Sequence, residues 1–128
     1  MRKKFSNILL LGLLAVIGFF LFAIMSGPLD DSCSNKEQYR VLSPRGNFTV
    51  VVFERNCGAT TGFSTQVSVL RSGEVLPSEG GNLLIADTDH GKAPEAPWGG
   101  PTVEIVWKSE DAIQIKHHEK ARIFKQEK

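Results

Sequence analysis

Cys33 and Cys57 are the two cysteines of the chain, and a thiol can serve as a nucleophile, a metal ligand or half of a disulfide. A nucleophilic Cys57 needs a general base beside it, yet "RNCGATTG", Arg55 to Gly62, contains no histidine, and the Arg55 guanidinium stays protonated and cannot serve. A structural zinc site takes about four ligands, usually with a C-x-x-C pair, which this sequence lacks. An even count of two leaves one intramolecular pairing. Cys33 sits in a polar lead-in, "DDSCSNKEQ", with little apolar surface to hold it down. A staple to Cys57 would fix that lead-in, so a Cys33–Cys57 disulfide is expected.

The remaining chemistry-bearing residues are few. Asp87, Asp89 and His90, in "DTDHG", are weak candidates for metal binding. An EF-hand loop wants D-x-D-x-D-G with a Glu six residues past the Gly; here His90 and Gly91 interrupt the series and Glu95 falls at the wrong distance. A zinc site could recruit His90 with His117 or His118, but neighbours on a strand point to opposite faces and cannot both ligate. The expected role of Asp87 is an Asx-type bond that starts a solvated reversal. Thr60 and Thr61 have no partner base nearby and suit a hydrogen-bonded loop. Trp98, between Pro97 and Gly99-Gly100-Pro101, is either a plug packed back on the domain or a side chain presented to a partner. Trp98, Thr60 and Thr61 together form the candidate interaction loop. No catalytic residue, metal or cofactor is assigned.

The elements that would position these residues read as short strands. Tyr39 to Leu42 leads into "SPRGN", where Pro44 and Gly46 suit a tight reversal. Phe48 to Glu54 is rich in β-branched and aromatic residues and apolar on both faces, as a central strand covered on two sides would be. Phe63, Thr65, Val67 and Val69 share one face of the next strand, Val103, Ile105 and Trp107 one face of a later one, and Ile113 and Ile115 one face of a third. In that phase His117 is half-buried and His118 faces solvent. Leu70 to Gly81 is turn-rich, Asn82 to Ala86 is a short strand, and Asp87 to Pro101 is a long irregular segment of the kind that is often functional. Ala121 to Lys125 ends the series. The fold class expected is all-β, a small antiparallel meander or sandwich of six or seven strands over residues 39–128.

The first quarter of the chain differs from this. Ile8 to Met25 carries no charge over 18 residues, which as a helix would span about 27 Å, close to the roughly 30 Å of a bilayer core. Arg2, Lys3 and Lys4 precede it and Asp30 and Asp31 follow, so the positive-inside rule leaves the N-terminus in the cytoplasm. The run is longer than the 7 to 15 residues of a cleaved signal and does not end in an A-x-A site. An uncleaved anchor is expected over residues 1–27 (membrane span 8–25), followed by a linker at 28–38. Beyond the span stand 12 basic and 14 acidic residues, a balance that gives no footprint for nucleic acid. The oxidising side of a membrane also suits the disulfide.

Two local likenesses accompany this reading. "SPRGNFTVVVF" and "VEIVWKSEDAIQIKH" resemble the two halves of a β-propeller blade. "SPRGNFTVVVFERNCGATTGFSTQVSVL" resembles a group of small bacterial envelope proteins with an N-terminal anchor or signal helix and a CGATT-type loop, a group with no known activity. The resemblance implies a single-pass protein of the bacterial inner membrane with its C-terminal domain periplasmic or extracellular. The function expected is a non-catalytic binding module contacting the membrane through 8–25 and another envelope protein. The alternatives are a metal or small-ligand site in the 87–101 loop, or an envelope hydrolase using Asp87, Asp89 and His90.

Overall fold

The computed structural model describes residues 12–22, 33–58 and 62–128. The chain divides into two units, Met1–Asp31 and Ser32–Lys128. In the first, residues 12–22 are helical and exposed. The rest of the expected span, 8–11 and 23–25, lies outside the described residues, and among the described residues no helix is long and apolar enough to cross a membrane.

The second unit consists of seven strands: β1 (Ser34–Leu42), β2 (Phe48–Asn56), β3 (Ser64–Arg71), β4 (Leu84–Asp87), β5 (Val103–Ser109), β6 (Ala112–His117) and β7 (Arg122–Gln126). They form a five-stranded sheet, ordered β1-β2-β3-β4-β7, and a separate β5-β6 hairpin. Every pairing is antiparallel. The first four strands meander; the chain then crosses one face as the hairpin and returns to the edge beside β4. The two blade-like segments therefore belong to different sheets and do not form a propeller blade.

Alternation along the strands builds the core. Val50, Val52, Val67, Leu84 and Ala86 form a fully buried cluster on one face of the large sheet. Val103, Ile105, Trp107, Ile113 and Ile115 from the hairpin pack against it. Ile105 stands opposite Ile115, and Trp107 opposite Ile113, so one face of the hairpin carries all of these side chains. Two polar anchors fix its angle: the Tyr39 hydroxyl donates to Val103 O at 2.8 Å, and Trp107 Nε1–H donates to Val41 O at 3.1 Å. Burial, and then the charge of Glu104, push the Tyr39 hydroxyl above its ordinary pKa, which keeps it a donor.

The opposite face of β2 is covered as well. Val51 and Phe53 have no exposed surface. Segment 74–82 is tied across that face: Asn35 Nδ2 donates to Pro77 O and Glu79 O, Arg40 to Glu74 O, and Gln66 and Ser68 accept from the backbone N–H groups of Gly81 and Asn82. This strap is the stretch that reads only as turn-rich from sequence. Gly81 is required where it ends, because a Cβ there would lie 2.5 Å from Leu84 O and 2.9 Å from Val67 O.

Several boundaries differ from the sequence reading. The expected linker 28–38 overlaps β1, which starts at Ser34 and pairs back to Asn56. An edge strand takes its hydrogen bonds from one neighbour, so β1 needs no apolar periodicity to form. The short fourth strand lies at Leu84–Asp87 rather than Asn82–Ala86, since Asn82 instead bonds Val69 through its side chain. Phe63 precedes β3 and is 58% exposed. His118 is half-buried rather than turned to solvent, with its Nδ1 accepting from Lys120 N–H at 3.1 Å.

Candidate functional site

The antiparallel register sorts the loops into two ends. β2 and β3 meet at the Cys57 end, where Ser64 pairs with Asp87 and Asp87 with Arg122. Cys33 is disulfide-bonded to Cys57 there, directly before the first β1–β2 pair, Ser34 with Asn56. Thr60 and Thr61 lie outside the described residues.

Trp98 is packed inward. Its ring joins the core cluster, and its Nε1–H donates to the buried Thr65 hydroxyl at 2.8 Å. That hydroxyl in turn donates to Pro101 O at 2.6 Å. Two glycines allow the fit. Gly99 has φ +86°, and a Cβ on it would meet the Phe63 ring at 2.7 Å; one on Gly100 would meet Thr65 N at 2.6 Å. The 88–102 loop thus closes the core with an indole.

The carboxylates of the same loop are engaged. Asp87 Oδ1 accepts from Asp89 N–H at 2.8 Å, the Asx bond expected of it, and from Arg122 Nε at 3.1 Å; its second oxygen accepts from Arg122 Nη2. Burial pushes the Asp87 carboxyl up, but Arg122 and the Asp89 N–H outweigh it and hold its pKa below the ordinary value. Asp89 forms an ion pair with Lys92 at 2.7 Å, and the Lys92 hydrogen bond leads in holding its pKa low. Asp89, His90 and Gly91 all adopt positive φ, 48°, 59° and 82°, in a left-handed reversal that the Asx bond initiates. Among the described residues no group of three or more metal-ligating side chains is gathered. The structure brings Asp87 and Asp89 together, around Arg122, and leaves His90 exposed.

The other end holds a cavity that sequence reading did not identify. A cleft of about 410 Å³ opens between the hairpin and the large sheet. Val69, Leu83, Leu84, Ile113, Ile115 and Trp107 form its apolar wall, and Phe48 lines it too. Glu110, Asp111, Gln126, Glu127 and Lys128 supply its polar lining. The two sheets share no strand pairing and join by side-chain packing, while the Trp107 and Tyr39 hydrogen bonds hold the hairpin on the β1 side. Glu110 ties the tip of the hairpin to the β1–β2 turn: Ser43 Oγ–H donates to its Oε1 and Arg45 N–H to its Oε2, each at 2.8 Å. Desolvation pushes the Glu110 carboxyl up; the donors from Arg45, Ser43 and Asn47 outweigh it, so its pKa lies below the ordinary carboxylate value. The alternation of Ile113, Ile115 and Trp107 marks them as inward-facing, but nothing in the spacing says that their neighbours leave a gap. No family model matches the chain, and neither curated proteins nor solved structures match it.

Proposed function

We propose that this protein is a non-catalytic binding module of the bacterial envelope, held at the inner membrane by residues 8–25, with its β-domain on the periplasmic or extracellular side. The observation that carries the binding reading is the inter-sheet cleft. Its volume of about 410 Å³ lies within the roughly 300–1,000 Å³ of small-molecule sites, and its wall combines apolar side chains with polar groups from the β5–β6 turn and the end of β7. The 87–101 loop supports a metal or ligand site less well, because Asp87 and Asp89 are engaged by Arg122 and Lys92 and Trp98 is packed into the core. The placement beyond the membrane rests on the uncharged run 8–25, the basic residues before it and the likeness to small envelope proteins. Another envelope protein that delivers or receives the ligand is the partner class this reading implies.

Two experiments test it. Methyl NMR of the full chain in a non-ionic detergent, titrated with benzyl alcohol, should shift Val69, Leu84, Ile113 and Ile115 together. If those methyls stay still, the cleft is not a binding site. Fusions of alkaline phosphatase to the C-terminus should be active and β-galactosidase fusions inactive; the reverse pattern refutes the membrane placement.

A further inference from the structure

We infer that the cleft selects a small organic cation, an ammonium group carried on an apolar or aromatic body; this rests on the binding-module reading above. Three observations favour the positive charge. Two aromatic rings, Phe48 and Trp107, line the same cavity, and a cation near an aromatic face, tryptophan above all, is attracted by its quadrupole. The Trp107 Nε1–H is already given to Val41 O, so the indole brings no hydrogen-bond donor to an anion in the cleft. The charged lining is Glu110, Asp111 and Glu127 against a single Lys128.

The carboxylates differ in how far they are committed. Glu110 accepts from Ser43 and Arg45 and keeps its negative charge while holding the turn. Glu127 lies 4.0 Å from Lys125, a loose and exposed pair. The Asp111 backbone N–H bonds the Ser109 hydroxyl, while its carboxylate accepts no hydrogen bond among the described residues. Asp111 is therefore the acid best able to face an incoming ammonium. The apolar wall formed by Val69, Leu84, Ile113 and Ile115 would take the body of the ligand, and burying that surface supplies most of the affinity. A polar cation with no apolar body would lose its hydration there without recompense.

The test uses the full chain in a non-ionic detergent with three probes of similar size: benzyltrimethylammonium, benzyl alcohol and benzenesulfonate. The cation should bind about tenfold more tightly than either of the others, with methyl shifts at Ile113 and Ile115. Raising the salt from about 50 to about 500 mM should weaken the cation selectively, because the acids at the cleft are partly exposed. Asp111→Asn combined with Glu127→Gln, at two exposed positions, should remove most of the preference for the cation over benzenesulfonate. If benzyl alcohol shifts the cleft methyls but the cation binds no tighter than benzenesulfonate, or the double variant keeps the full preference, the charge assignment is overturned and the binding module stands. If none of the three probes moves those methyls, both readings are overturned.

Discussion

Trp98 and Thr65 form a two-step relay: the indole N–H donates to Thr65 Oγ1 at 2.8 Å, and the Thr65 hydroxyl passes its own hydrogen to Pro101 O at 2.6 Å. One buried hydroxyl thereby satisfies both the side chain and the backbone of the 88–102 loop. Thr65→Val keeps the shape and removes both bonds. It should lower unfolding stability by roughly 2–3 kcal/mol, because a donor and an acceptor lose their partners. Trp98→Phe should cost about 1 kcal/mol and Trp98→Ala about 3 kcal/mol, since the first keeps most of the packed ring. Urea denaturation with an unchanged slope is the measurement. An alanine variant as stable as wild type would mean that the indole is not part of the core.

The disulfide should act on the β1 edge. Cys33 and Cys57 are 24 residues apart, and closing a loop of that size stabilises a fold by roughly 3–4 kcal/mol on the chain-entropy model. Reduction, or Cys33→Ser with Cys57→Ser, should lower the melting temperature and speed amide exchange at Ser34 to Glu37 more than at Val50 to Phe53. Uniform acceleration across both strands would show that the bridge does not hold the edge locally.

The Asp87–Arg122 pair should make stability acid-sensitive. The ordinary Asp value is 3.8 and the folded value lies below it, so the unfolded chain takes up its proton first as the pH falls. The stabilisation is complete above the unfolded value and is lost as the pH drops through the folded one. Thermal unfolding between about pH 5 and pH 2 should show a steep decline for wild type and a shallower one for Asp87→Asn, which starts from a lower midpoint at neutral pH. Equal declines would remove Asp87 from the account.

Glycine substitutions should separate close backbone contacts from open positions. A Cβ at Gly100 would stand 2.5 Å from Thr65 Oγ1, while one at Gly62 meets nothing within 4 Å among the described residues. Gly100→Ala should cost about 2 kcal/mol or more through overpacking, and Gly62→Ala less than about 0.5 kcal/mol. Chemical denaturation of the two variants side by side decides it.

Apolar runs and apolar alternation carried much of the fold in plain view. The run from Phe48 to Glu54 is apolar on both faces, and Val50 to Phe53 are all fully buried; the covered central strand could be read from composition alone. Val103, Ile105 and Trp107 likewise declare their inward face. The first half of β1 was not legible, because Asn35 and Lys36 are strand residues only through their pairing with Arg55 and Glu54. The strap at 74–82 has no periodicity, since it is held by side chains of other strands, Asn35, Arg40, Gln66 and Ser68. Trp98 could be seen as plug or projection; only the position of Thr65 beneath it makes it a plug.

Local chemistry therefore determined the strand content, the one possible cysteine pairing and the Asx-initiated reversal at Asp87, since each depends on residue type and near-neighbour spacing. Tertiary structure decided which strands pair, which face the strap covers and where Arg122 meets Asp87, 35 residues away. It alone produced the cleft, because a gap between two packed sheets belongs to no single segment: it is the volume left when side chains from β2, β3, β4, β5, β6 and the C-terminal residues meet without filling the space between them.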